Sequence, residues 1–320
     1  MTMKTKLFIC LGVLFGVAAA AQQVGWPLAK LTVHVLGEEG ELISGANVRI
    51  GFREKLSNRD VWAVGATDSD GKFTAEGYSD KRLGGSVGKE GYYDSGTGWT
   101  IFNDAVLGKW RPWNSVAAVV LRPIGKPVAL CAKTGWFDIP VVSQPCGFDM
   151  MKGDWVAPYG SGVIADMVFT VERRHESRQD FEVKMHLGFS NARDGIQETK
   201  LPAIGRNSAF QWQREAVQEG YAPVLTGRFA HKPGGPYEKT ASEDQVYFFR
   251  VRTVERDGRI VSANYGKIRG GLELAPSNSA TCKIKLTYYL NPTSLDRNLE
   301  WDTKRNLLTS LGAMEAPREP

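Results

Sequence analysis

Short runs of alternating apolar and polar residues dominate the chain. From Lys30 to Leu36 it reads Lys-Leu-Thr-Val-His-Val-Leu, and the acidic Gly37-Glu38-Glu39-Gly40 that follows has turn chemistry. A strand and a hairpin turn are predicted. Further runs from Asn47 to Phe52, Val61 to Thr67 and Lys72 to Ala75 are separated by polar or Asp-Gly segments, and Val116 to Leu121 reads as a closing strand. Short strands at this spacing indicate a β-sandwich. In the second half, Val163 to Glu172, Phe181 to Phe189, Val246 to Glu255, Arg259 to Lys267 and Cys282 to Leu290 also read as strands, with Asp257-Gly258 a two-residue hairpin turn. Helical candidates are short and poorly amphipathic, so the fold class is all-β with two β-sandwich domains. The second is expected to be an antiparallel sandwich whose topology the pattern leaves open.

Three segments in order carry a family likeness: Ile43-Ser44-Gly45-Ala46-Asn47-Val48, then Ala66-Thr67-Asp68-Ser69-Asp70-Gly71-Lys72-Phe73, then Val87-Gly88-Lys89-Glu90-Gly91-Tyr92. Together they resemble the carboxypeptidase-regulatory-like domain, a transthyretin (prealbumin)-type sandwich in which G-A-x-V, T-D-x-D-G-x-F and K-x-G-Y recur. Gly45 permits a tight bend before a strand, and Asp70-Gly71 suits a hairpin turn. The likeness spans roughly Leu28 to Pro123. It implies a transthyretin-like first domain and an accessory role, since such domains recur as appendages on exported peptidases, receptors and surface proteins. It implies no reaction. The stretches Gly153 to Gly160 and Tyr288 to Thr293 look similar to segments of exported bacterial proteins carrying that domain.

At the N-terminus, Lys4 and Lys6 precede an uncharged apolar run from Leu7 to Val17 and small residues from Ala18 to Ala21. This is the pattern of a signal peptide over 1–21, and it predicts a secreted or periplasmic protein without a transmembrane segment in the mature chain. The expected organisation continues with a first sandwich at 28–123, a linker or irregular segment at 124–160, a second β domain at 161–309 and a disordered tail at 310–320. Formal net charge is +5, and removing Lys4 and Lys6 leaves about +3, too little for electrostatics alone to imply a polyanion partner, and no nucleic-acid partner is expected. Arg173-Arg174-His175 and Arg250-Val251-Arg252 read as solvated strand faces. Besides Cys10 the chain has Cys131, Cys146 and Cys282, of which Cys131 and Cys146 are the favoured disulfide pair.

Candidate chemistry is sparse. Three places after His34, His175, His186 and His231 stand Gly37, Arg178, Phe189 and Gly234, so the His-x-x-Glu pair of a zinc carboxypeptidase is absent. The one Gly-x-Ser-x-Gly pentapeptide, Gly84-Gly85-Ser86-Val87-Gly88, falls between predicted strands rather than at the strand-to-helix elbow of a serine hydrolase. Gly84-Gly85-Ser86-Val87-Gly88-Lys89 is one residue short of a phosphate loop and reads instead as a glycine-rich edge strand or bulge. Asp68-Ser69-Asp70-Gly71 lacks the later ligands of a calcium loop and reads as a turn. No metal or other cofactor is implied. Asp149, Asp154 and Asp166 could pair as acid and base in a glycan hydrolase, the alternative reading. The most suggestive feature is the aromatic stretch holding Tyr92, Tyr93, Trp99, Phe102, Trp110 and Trp113, since exposed rings stack on sugars or anchor a protein partner. Its candidate binding residues are Tyr92, Tyr93, Trp99, Trp110 and Trp113, with Trp110-Arg111-Pro112-Trp113 expected to be the most exposed. The resulting expectation is a non-catalytic binding or scaffold protein of the cell envelope, with a carbohydrate or an envelope protein as partner.

Overall fold

The structure, a computed structural model, describes residues 25–202, 205–242, 245–276 and 281–320. The expected signal peptide at 1–21, with Cys10, lies outside the described residues. The architecture is all-β, with no helix among the described residues.

Residues 28–123 begin with the strand Leu28–Leu36, flanked by Lys72–Tyr78 on one side, antiparallel, and by Ser115–Val120 on the other, parallel. A second layer centres on Asn47–Arg53, which pairs with Asp60–Ala66 and Gly85–Gly88, the latter continuing to Ser95–Gly96. The layers join edgewise at the Arg53 and Tyr78 pair. Alternation explains why they stack: Val48, Ile50 and Phe52 point inward against Leu31, Val33, Val35 and Val119, leaving Asn47 and Arg49 exposed outside. Each fully buried aliphatic or aromatic side chain contributes about 1.5–3 kcal/mol of apolar burial. The stretch expected to be an edge strand, Gly85–Gly88, is paired on both sides. Its glycine is required by a close approach, since a Cβ on Gly85 would stand 2.2 Å from the Arg49 carbonyl oxygen.

The rest of the chain forms a seven-stranded and a six-stranded sheet. The first contains Val246–Arg256, Arg259–Arg269, Cys282–Asn291 and Val128–Ile139 as its centre, and the second is built on Met167–Ser177, Asp180–Gly188 and Leu225–His231. They close on a shared core in which Phe249, Ile284 and Tyr288 of one sheet meet Phe148, Phe169 and Val183 of the other. The Asp257-Gly258 turn forms as expected, with φ of 51° and 74° at the two positions. The far face of the seven-stranded sheet is also covered, by Phe210, Trp212, Ala216 and Leu299 packing on Phe248 and Ala263. Double coverage explains the unbroken buried run from Val246 to Val251.

Three expectations need correction. The segment 124–160 is not an irregular linker: Val128–Ile139 is an interior strand, antiparallel to Cys282–Asn291 and parallel to Trp301–Asn306. It escaped notice because Leu130 and Ala132 are buried on one face of the sheet and Cys131 on the other, which erases period-two alternation. The tail 310–320 is held against the same sheet, where Thr134 N–H donates to Glu315 O at 2.8 Å and Tyr289 Oη to Glu319 O at 2.9 Å. Cys131 and Cys146 are unbridged buried thiols, as is Cys282. Cys131 and Cys146 belong to opposing sheets, and Cys146 Sγ donates to Phe169 O at 3.5 Å. Burial pushes both thiols up to about 11.

Candidate binding groove at the sheet junction

The three aspartates of the hydrolase reading are occupied in holding backbone. Asp149 accepts from Met151, Lys152, Val163 and Ile164 N–H at 3.0–3.1 Å and from Arg252 at 2.8 Å. Asp166 accepts from Met150 N–H at 2.8 Å and from Arg252 at 2.7 and 2.9 Å. Asp154 accepts from Trp155 N–H and from the amide and hydroxyl of Ser161, each at 2.8 Å. Burial raises the Asp149 carboxyl, but the N–H donors and Arg252 outweigh it and hold the group below its usual range. For Asp166 burial wins and the carboxyl is pushed up in spite of Arg252. Neither Asp149 nor Asp166 faces solvent, so the geometry provides structural anchors rather than an acid and base flanking a substrate.

Arg250 and Arg252 are likewise not on a solvated face. A bulge interrupts the Val246–Arg256 ladder, Arg252 takes a left-handed φ of 55°, and Asp194 binds Arg252 and Thr253 N–H at 2.9 Å each. The bulge aims the Arg252 guanidinium at Asp149 and Asp166. Arg250 bonds the carbonyls of Arg193 and Gln218 and lies 4.8 Å from the Tyr221 ring centre. Among the described residues no group of three or more His, Cys, Asp or Glu is arranged to hold a metal ion.

The aromatic stretch divides. Trp110, expected to be exposed, is half-buried: it stacks on Phe102 with ring centres 5.6 Å apart and donates Nε1–H to Ser79 O at 2.8 Å. Trp113 is also half-buried, with the Lys109 ammonium 4.8 Å from its ring centre. Tyr92 packs on the first core. Tyr93 stacks on Phe210 at 5.1 Å and donates to Glu300 Oε1 at 2.8 Å. Burial, followed by that carboxylate, pushes the Tyr93 phenol well up. Trp99 alone of the five is mostly exposed, at 72%.

Trp99 borders a cleft of about 630 Å³ that sequence reasoning did not find. The opposite ring is Trp62, 47% exposed, on the strand Asp60–Ala66. Hairpin register places Trp62 directly across from Gly51, and a Cβ there would stand 3.1 Å from the indole. Trp99 rests in the same way on Gly84, whose added Cβ would stand 3.1 Å from its ring. Gly51 N–H donates to Gly84 O at 3.0 Å, so the two glycines are neighbours across the sheet. Two indoles thus lean on a glycine valley. Beside it run Arg49, Ser86 and Gly96, consecutive across paired strands. The Arg49 guanidinium lies 3.9 Å from the Trp62 ring centre, and Arg82 lies 5.9 Å from that of Trp99.

The far wall comes from the second half of the chain. Arg206, Asn207 and Gln211 line it, held in place because Gly96 N–H donates to Asn207 O and Ala209 N–H to Asp94 O, both at 2.8 Å. Below this wall Arg122 bonds Phe210 O and Trp212 O at 2.9 and 2.7 Å and Glu38 at 2.6 Å. Burial raises the Glu38 carboxyl, but Arg122 and then Arg214 hold it below its usual range. Glu300 accepts from Tyr93, Gly125 N–H and Lys126 N–H at 2.8–3.0 Å. The groove is therefore fixed on both sides, a rigid aromatic and amide-lined cleft where two sheet systems meet, the usual setting of a ligand pocket. The missed residues were hidden for separate reasons. Trp62 sits in Val61-Trp62-Ala63-Val64, apolar on both faces, so only its pairing with Gly51 marks it as an exposed platform.

No protein family model matches the chain, and no curated protein matches it. Among solved structures it is similar to the shaft pilin spaA from Lactobacillus rhamnosus GG, at 10% identity over 81% of this chain and 93% of that one, with a TM-score of 0.23, too low to bear on activity.

Proposed function

We propose that this chain is a non-catalytic binding protein that acts outside the cytoplasm and holds a carbohydrate in the groove between Trp62 and Trp99. The observation that carries this reading is the pair of exposed indoles supported on Gly51 and Gly84. Sugar rings present apolar faces that stack on flat aromatics, while Ser86, Asn207 and Gln211 supply hydroxyl and amide partners for the ring oxygens. Because the rings are already seated, little side-chain entropy is lost on binding. The accessory role implied by the regulatory-like resemblance agrees with this. In support of that resemblance, Gly45, Gly71 and Gly91 adopt φ of 68°, 69° and 81° in the three motif segments. We assign residues 28–123 to that domain and the signal peptide to 1–21 on the same reading.

A glycan array probed with the protein and with a Trp62→Ala, Trp99→Ala double variant tests it. Binding to at least one glycan class, weakened about tenfold or more in the variant with an unchanged melting temperature, is expected. Retention of the signal by the double variant, or no signal from the parent, contradicts the reading.

A further inference from the structure

Resting on the carbohydrate reading, we infer that the groove's ligand is an acidic glycan chain whose oxyanions are taken by Arg49 and Arg206. Among the described residues, those lining the cleft include these two arginines and no carboxylate. Neither guanidinium has a carboxylate partner among the described residues. By contrast Arg122 and Arg214, below the far wall, pair with Glu38. The Arg49 guanidinium lies over the Trp62 ring, 3.9 Å from its centre, and lines the same cleft as Gly84 and Gly85. A planar fork beside an indole matches a sugar that presents an apolar ring face and a carboxylate or sulfate at its edge.

The dimensions favour a chain over a single sugar. Arg206 and Gln211 also line a second cleft of about 470 Å³, together with Thr199, Lys200 and Gln245. Single-stranded nucleic acid also combines stacking with cations, but it needs a row of cations along each backbone. The second cleft carries Glu198 on its wall beside Lys200, so it suits uncharged sugars of the chain and confines the oxyanions to the stretch between Arg49 and Arg206, which a phosphate on every unit would not allow.

The test is calorimetric titration of the full chain with oligosaccharides of equal length: a uronate oligomer, its neutral methyl ester, a sulfated oligomer, and a single-stranded oligonucleotide of matching charge. Either acidic oligosaccharide is expected to bind about tenfold or more tightly than the neutral ester, less so as salt rises, and the tighter of the two names the oxyanion. Arg49→Gln and Arg206→Gln are expected to remove that preference, so that each variant binds the acidic oligomer and the neutral ester with equal affinity. Equal affinity for acid and ester overturns the acidic assignment and leaves the carbohydrate reading standing. Absence of binding by any oligosaccharide overturns both, and tighter binding of the oligonucleotide than of every sugar overturns them in favour of nucleic acid.

Discussion

Two basic side chains illustrate opposite outcomes of burial in this fold. Arg252 is surrounded by acceptors, and its removal strands two carboxylates that are 3% and 0% exposed. Arg252→Met is therefore expected to cost about 3 kcal/mol at neutral pH in denaturant unfolding. Without the arginine, burial raises the Asp166 carboxyl further. A raised folded-state carboxyl binds more protons folded than unfolded, so the variant's deficit shrinks as pH falls from neutrality through the carboxylate range. Lys267 is the reverse. It is wholly buried and makes no hydrogen bond among the described residues, with ring centres of Trp212 and Tyr289 at 5.0 and 4.7 Å from Nζ. Burial drives its pKa well down. Lys267→Met is expected to stabilise the fold by about 1–3 kcal/mol at neutral pH, since it removes an unpaired polar group and keeps the volume. A depressed lysine binds fewer protons folded than unfolded, so the parent regains stability as pH rises toward the ordinary lysine value. The advantage of the variant must narrow over that interval. A constant difference between pH 7 and pH 10 contradicts this account of Lys267.

At the level of elements, the groove depends on Gly51 in the strand Asn47–Arg53 and on Gly84 just before the neighbouring strand Gly85–Gly88. Gly51→Ala pushes a methyl to 3.1 Å from the Trp62 indole, and Gly84→Ala does the same to Trp99. Each ring must tilt off its seat, so ligand affinity is expected to drop about tenfold in titrations while unfolding shifts by less than about 1 kcal/mol, the strands themselves remaining paired. The element scale is also where reading the sequence worked best and failed most instructively. Leu28–Leu36, Asn47–Arg53 and the Asp257-Gly258 hairpin follow directly from alternation and turn chemistry. Val128–Ile139 does not, because its run Leu130–Ala132 is buried on both faces and leaves no period to detect there. Trp99 was visible as a candidate. Trp62, Arg49, Arg206 and Gln211 were not, since no local pattern joins positions brought together by strand register and by a segment more than a hundred residues away.

For the whole molecule, the groove exists only while the wall carrying Arg206, Asn207 and Gln211 stays docked on the first sheet system. Glu300, 1% exposed, holds Tyr93 and the amides of Gly125 and Lys126 at that junction. Glu300→Ala removes the acceptor for three donors and is expected to cost about 2–4 kcal/mol, read as a lower melting temperature. Glycan affinity falls with it, because the wall loses its footing. The most direct measurement of the central claim is a two-dimensional NMR titration with the best-binding oligosaccharide, following the tryptophan indole N–H signals. The account predicts shifts at Trp62 and Trp99, with the Trp110 signal, bonded to Ser79, unmoved. Shifts confined to Trp110, Trp113 or the second sandwich, with Trp62 and Trp99 silent, would contradict it.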